Sequence, residues 1–212
     1  MMDEMKRGLK LIKYANGFKV TAVITILFCL IAIVISFVDL QFIVIASVEI
    51  FMSIIMFAQM EYSLLATGIC ASSPRKRNLE TWLPDLSGLV LGIAGYLVIL
   101  VIIMVNYFYA SEEVKQICGA GILFSGMMGG ITLVYGSLVY KNNIIAFIVF
   151  FSGFYSLLIC FESGMSVSLT AGVWGGFAFI LVGVVAAGIL RRLLYRKPLN
   201  KVAFGMRFRR NM

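Results

Sequence analysis

The chain is 212 residues long, and 61% of it is hydrophobic against 13% charged, with a mean hydropathy of +1.00. That balance is too apolar for a water-soluble domain of this size. The absence of histidine and of any G-x-x-x-x-G-K-[ST] loop excludes Cys-His and Ser-His-Asp nucleophile systems, the H-E-x-x-H zinc site, histidine-bound haem and ATP hydrolysis on a phosphate loop.

Residues 1–19 are charged and lack an apolar run followed by a small-residue cleavage site, so they are expected to stay in the mature protein. Met2, Met5, Leu9 and Ile12 recur at helical spacing, with Lys6, Arg7, Lys10 and Lys13 on other faces. This pattern predicts an amphipathic helix lying along the membrane surface, with Gly17 as a bend into the first span. A plain positive topology signal is the alternative reading of the same residues.

Residues 20–190 hold six apolar segments, and a hydrocarbon core about 30 Å thick needs roughly 20 such residues per helix. They run from Val20 to Val38, Gln41 to Tyr62, Leu86 to Val105, Ile117 to Val139, Ile144 to Cys160 and Val173 to Leu190. The predicted fold is all-α, a polytopic membrane protein with six transmembrane helices. Cytoplasmic segments retain lysine and arginine. Five of these residues precede the first span, three stand at 75–77, Lys141 joins the fourth and fifth spans, and eight follow Leu190, against Lys115 alone on the other side. Both termini are therefore expected in the cytoplasm. The net charge of +8 sits beside spans, where anionic lipids attract it, so membrane lipid and not nucleic acid is the expected partner of these charges.

In the second span, Glu49 is the one ionisable residue expected at bilayer depth, where such groups are costly and functional by default. At 1.5 Å per residue it lies roughly 12 Å from the outer surface, near Ser47 and Ser53, and a neutral hydrogen-bonded carboxyl is the alternative to a functional one. Glu61 falls near the cytoplasmic surface. The span continues in helix-compatible residues as EYSLLATGICA.

Residues 72–85 form the longest internal polar break. Ser73 can cap a short helix that starts at Pro74 and ends before Pro84. On it Leu79, Trp82 and Leu83 gather on one side, with Arg75, Lys76 and Glu80 more exposed. Such a helix reads as a docking element, or as an interfacial tryptophan in a positive-inside loop.

Beyond the third span, Glu112-Glu113 is similar to the glutamate pair of intramembrane CAAX-type proteases, which however also use histidine. The fourth and sixth spans are glycine-rich, with G-x-x-x-G spacings at Gly126 to Gly130 and Gly172 to Gly176 that permit close backbone approach, within the chain or between subunits. Cys29, Cys70, Cys118 and Cys160 form no C-x-x-C pair and read as packing residues, although Cys118 and Cys160 both fall near outer helix ends, where a disulfide is conceivable. Residues 191–212 form a basic tail with Leu193, Leu194, Tyr195, Phe204 and Phe208, suited to an anionic lipid surface.

Taken in order, a surface helix, six spans with both ends inside, and a second span running into LLATGICASSPRKRNLETWLPDLSGLV resemble the membrane subunits of bacterial ABC exporters of the type 2 permease class. The resemblance covers the whole chain as architecture and about 30 residues as sequence. It implies a permease in the bacterial cell membrane that is not itself an enzyme and holds no cofactor. A separate ABC ATPase subunit would bind ATP and Mg and dock on Arg75, Lys76, Arg77, Leu79, Glu80, Trp82 and Leu83, and a second permease subunit would complete the pathway. The segment from Phe161 to Thr170 is short for the external half-helices of that class. Two other readings compete: a substrate-binding membrane subunit of an uptake system, disfavoured by few polar groups in the outer halves, and a non-transporting scaffold or immunity protein.

Overall fold

The computed structural model describes residues 18–38, 43–65, 76–109, 112–139, 141–164 and 166–197. They form six helices: α1 (Phe18–Val38), α2 (Ile43–Leu65), α3 (Lys76–Tyr109), α4 (Glu112–Leu138), α5 (Asn143–Glu162) and α6 (Leu169–Leu194). No strand occurs among the described residues. Each helix is long and apolar enough to cross a membrane. The β-branched runs in α1 and α5 would be poor helix formers in water, but in hydrocarbon every backbone N–H and C=O must find its partner within the segment, which favours the helix. The surface helix predicted before Gly17, the proposed Ser73 cap, Cys70 and the end of the tail fall outside the described residues.

Helix α4 is the hub. It packs on α2, α3, α5 and most extensively on α6, whereas α1 lies chiefly on α2 and α5 on α4. Buried residues make up 72% of the α4 span but only 6% of those of α1 and α5. Valine, isoleucine, leucine and phenylalanine cover the outer faces of these peripheral helices, with Val20, Val34, Ile148 and Ile159 all more than half exposed. An apolar surface that continuous suits hydrocarbon and not water.

The polar breaks are shorter than the sequence implies. Between α3 and α4 only residues 110–111 separate helix from helix, where a break from Asn106 to Gln116 is expected. The larger correction is at Pro84. The short helix expected to end before it is instead the start of α3, which runs for 34 residues with Pro84 inside. A mid-helix proline removes the hydrogen bond to the carbonyl four residues earlier and costs about 3 kcal/mol. Here ion pairs and buried residues on both sides of Pro84, described below, tie both halves of the helix to its neighbours. At ~1.5 Å per residue α3 is about 51 Å long, well beyond the ~30 Å hydrocarbon thickness.

The link between α5 and α6 is tight. Gly164 adopts φ +73°, and Ser168 caps α6 by accepting from the Ala171 N–H at 3.3 Å. No half-helix occurs among the described residues of this link.

Candidate functional site

The basic residues described by the structure, apart from Lys115, gather at one end of the bundle, where α3 begins, α4 meets α5, and α6 ends. Two buried ion pairs organise this end. Glu80, in the first turns of α3, accepts from Lys141 Nζ at 2.6 Å, and both side chains are about 5% exposed. Lys141 also donates to the Lys197 carbonyl at 2.7 Å, so one ammonium joins α3, the α4–α5 link and the chain beyond α6. One turn further along α3, Asp85 receives Arg191 Nη1 of α6 at 2.6 Å, with Arg192 Nη2 more distant at 3.7 Å.

Glu61, near the end of α2, is 1% exposed and accepts from Ser87 Oγ at 2.7 Å. Arg191 and Asp85 are the charged groups that act on it electrostatically. The space left among Glu61, Ser87, Pro84 and Arg191 is about 10 Å³, at the lower limit for one water, so the cluster is packed closed. Helices α2, α3 and α6 and the α4–α5 link are thus joined by charge within about two helical turns. Separating either ion pair would leave an uncompensated charge at this end, which is costly where it is buried.

The residues expected to dock an ATPase divide sharply. Glu80 and Leu83, expected on the exposed and docking sides of a free helix, are both buried, at 6% and 7% exposure. That corrects their expected placement: α3 is not free-standing here, and its inner face carries Glu80, Thr81 and Leu83. Arg77 and Trp82 face outward. Arg75 and the side chains of Lys76 and Leu79 fall outside the described residues.

Trp82 lines a groove of about 290 Å³ between α3 and α6, with Leu86, Leu89, Val184, Val185 and Ile189 as walls, Gly188 at its base, and Asp85 and Arg192 at one end.

The glycines lie on the seam between α4 and α6. A Cβ on Gly126 would run into the Gly176 backbone, and one on Gly172 into the Gly119 carbonyl. A Cβ on Gly183 would lie 2.5 Å from Gly130 Cα. The pairs 119·172, 126·176 and 130·183 rise together, so α4 and α6 run parallel with their backbones in contact. Gly176 also makes room for Tyr96 of α3, whose Oη donates to the Val173 carbonyl at 2.7 Å. Gly119 and Gly183 extend the seam beyond the two G-x-x-x-G spacings.

Glu49 stands apart from this cluster. It lies on the face of α2 turned away from the core residues Ser47, Phe51 and Ile54. Its Oε2 is buried without a hydrogen-bond partner. The neighbouring hydroxyls serve elsewhere: Ser47 bonds to the Ile43 carbonyl and Ser125 Oγ, both at 2.6 Å, and Ser53 to the Ile50 carbonyl at 2.5 Å. Cys118 is buried and Cys160 exposed, and no disulfide joins the two.

Sequence reading missed both ion pairs. Asp85, Lys141 and Arg191 were each visible as charges next to a span, but their pairing depends on which helices are neighbours. Among the described residues no group of three His, Cys, Asp or Glu side chains is placed to hold a metal ion. Compared with known proteins, the chain matches no family model, no curated protein and no solved structure.

Proposed function

We propose that this chain is the membrane-embedded permease subunit of a multi-subunit ABC exporter in a bacterial cell membrane, with both termini and the basic end in the cytoplasm. A separate ATPase subunit docks on the segment that leads into α3, and a second permease copy or homologue supplies the other wall of the pathway. The observation that carries this reading is the continuity of α3. It begins in the basic segment with Arg77 and Trp82 outward, runs unbroken through Pro84 into the bundle, and is fastened to the α4–α5 link and to α6 through Glu80–Lys141 and Asp85–Arg191. A push on its first turns would therefore reach the α4–α5 link and α6. The count of basic residues along the sequence supports the same orientation.

A second reading, a non-transporting scaffold or immunity protein, draws support from the closed interior. The α4–α6 seam brings backbone against backbone, and the 290 Å³ groove is lined by α3 and α6 alone.

The two separate by co-purification from native membranes in mild detergent, comparing the wild type with an Arg75/Lys76/Arg77→Gln variant. These three positions leave the buried Glu80 and Leu83 untouched. An ATPase present at equal stoichiometry with the wild type and lost from the correctly inserted variant is the expected result. Absence of an ATPase from both samples would put the scaffold reading first.

A further inference from the structure

We propose that the groove between α3 and α6 binds one molecule of an anionic phospholipid, with an acyl chain along Leu86, Leu89, Val184, Val185 and Ile189 and the phosphate on Arg192. This goes beyond the permease reading and stands whether or not the chain transports anything.

Three observations converge on that occupant. The groove opens on the outer face of the bundle, next to Val90, Val182 and Val185, which are 57%, 63% and 61% exposed. Its long dimension therefore takes hydrocarbon and not a polar solute. Its lining residues recur at three- and four-residue steps on both helices, from Trp82 to Leu89 on α3 and from Val184 to Arg192 on α6, which makes a trough about two turns, or ~11 Å, long.

The charged end is the second observation. Arg191 already closes on Asp85 at 2.6 Å, whereas Arg192 is 63% exposed and only 3.7 Å from that carboxylate. Arg191 already satisfies Asp85, and Arg192 keeps donors free for the paired hydrogen bonds that a phosphate accepts. Charge thus selects an anionic headgroup directly above an apolar trough. Third, Trp82 stands at the same end and is 41% exposed, placing an indole at the level where headgroup and acyl chain meet. A free phosphate would leave the trough unfilled, and an uncharged detergent or lipid would give the free donors of Arg192 no charged acceptor beyond the distant Asp85.

The chain has two tryptophans, so Trp174→Phe makes Trp82 the sole reporter. The protein would be reconstituted in vesicles containing either phosphatidylglycerol or phosphatidylcholine brominated on the acyl chains, and quenching of Trp82 followed against the mole fraction of brominated lipid. We expect about fivefold less anionic than zwitterionic lipid to reach half-maximal quenching, the preference one basic side chain confers near a membrane surface. Arg192→Gln, which leaves Arg191–Asp85 in place, should bring the two lipids level. Val185→Phe, at an exposed position that can fill the trough without entering the core, should weaken quenching by the anionic lipid. Equal quenching by both lipids in the otherwise wild-type protein overturns the proposal. So does a preference that survives Arg192→Gln, since the rest of the basic end would then be its source, or quenching unchanged by Val185→Phe.

Discussion

At the scale of single residues, the energetics of this bundle turn on where a side chain is missing. Without a hydrophobic driving force between helices in lipid, close backbone approach supplies the packing that holds them together. Gly126 lies against the Gly176 backbone, whereas a Cβ on Gly136 would meet Ala58 Cβ at an ordinary 3.8 Å. Gly126→Ala should therefore force α4 and α6 apart and destabilise the protein by about 1–3 kcal/mol, as overpacking does. Gly136→Ala should leave stability nearly unchanged. Thermal unfolding of both variants in one detergent checks the contrast, and equal losses would contradict it. Tyr96→Phe removes the hydrogen bond to the Val173 carbonyl and should cost about 0.5–1.5 kcal/mol in the same assay, without loss of the ring packing.

At the scale of elements, the two halves of α3 are held by different neighbours, and the Glu80–Lys141 pair can be tested as a unit. Lys141→Met should cost about 3–5 kcal/mol, because it leaves Glu80 buried and uncompensated. Combining it with Glu80→Gln should restore much of the loss. A double-mutant cycle by reversible unfolding measures the coupling, and strictly additive losses would show that the two charges act independently.

The six helices long and apolar enough to cross a membrane were legible in the sequence because hydropathy over some 20 residues is a local property of the chain. Pro84 was not, since a proline in isolation ends a helix, and only contacts on both of its flanks keep α3 continuous. Glu80 was read as exposed for a related reason: the helical wheel ranks faces by polarity, and a buried carboxylate looks identical to a solvated one until Lys141 is known to lie opposite. The glycine spacings could be read, but their partners could not. Which G-x-x-x-G faces which is decided by neighbours in space, and the seam recruits Gly119 and Gly183 from outside either motif.

At the scale of the whole molecule, the proposed orientation is testable without knowing what the protein does. Ser163 stands exposed at the far end of α5 and Arg196 just beyond α6, among the basic residues. In a cysteine-free background, a membrane-impermeant maleimide should label Ser163→Cys on intact cells and Arg196→Cys only after the membrane is disrupted. The reverse pattern would invert the topology and move the docking segment to the wrong side for a cytoplasmic ATPase.

The parallel contact between α4 and α6 has a consequence for how the protein is made. Helices emerging from the ribosome in order pair most readily with the one just before, yet α5 lies off to the side of α4, and the most extensive interface joins α4 to a helix synthesised two spans later. Until α6 has left the translocon, the glycine face of α4 has only lipid to meet, and Asp85 has no Arg191. The described bundle is therefore unfinished in a structural sense until α6 joins it. A chain stopped after α5 would leave bare the glycine face of α4 that α6 covers in the described bundle.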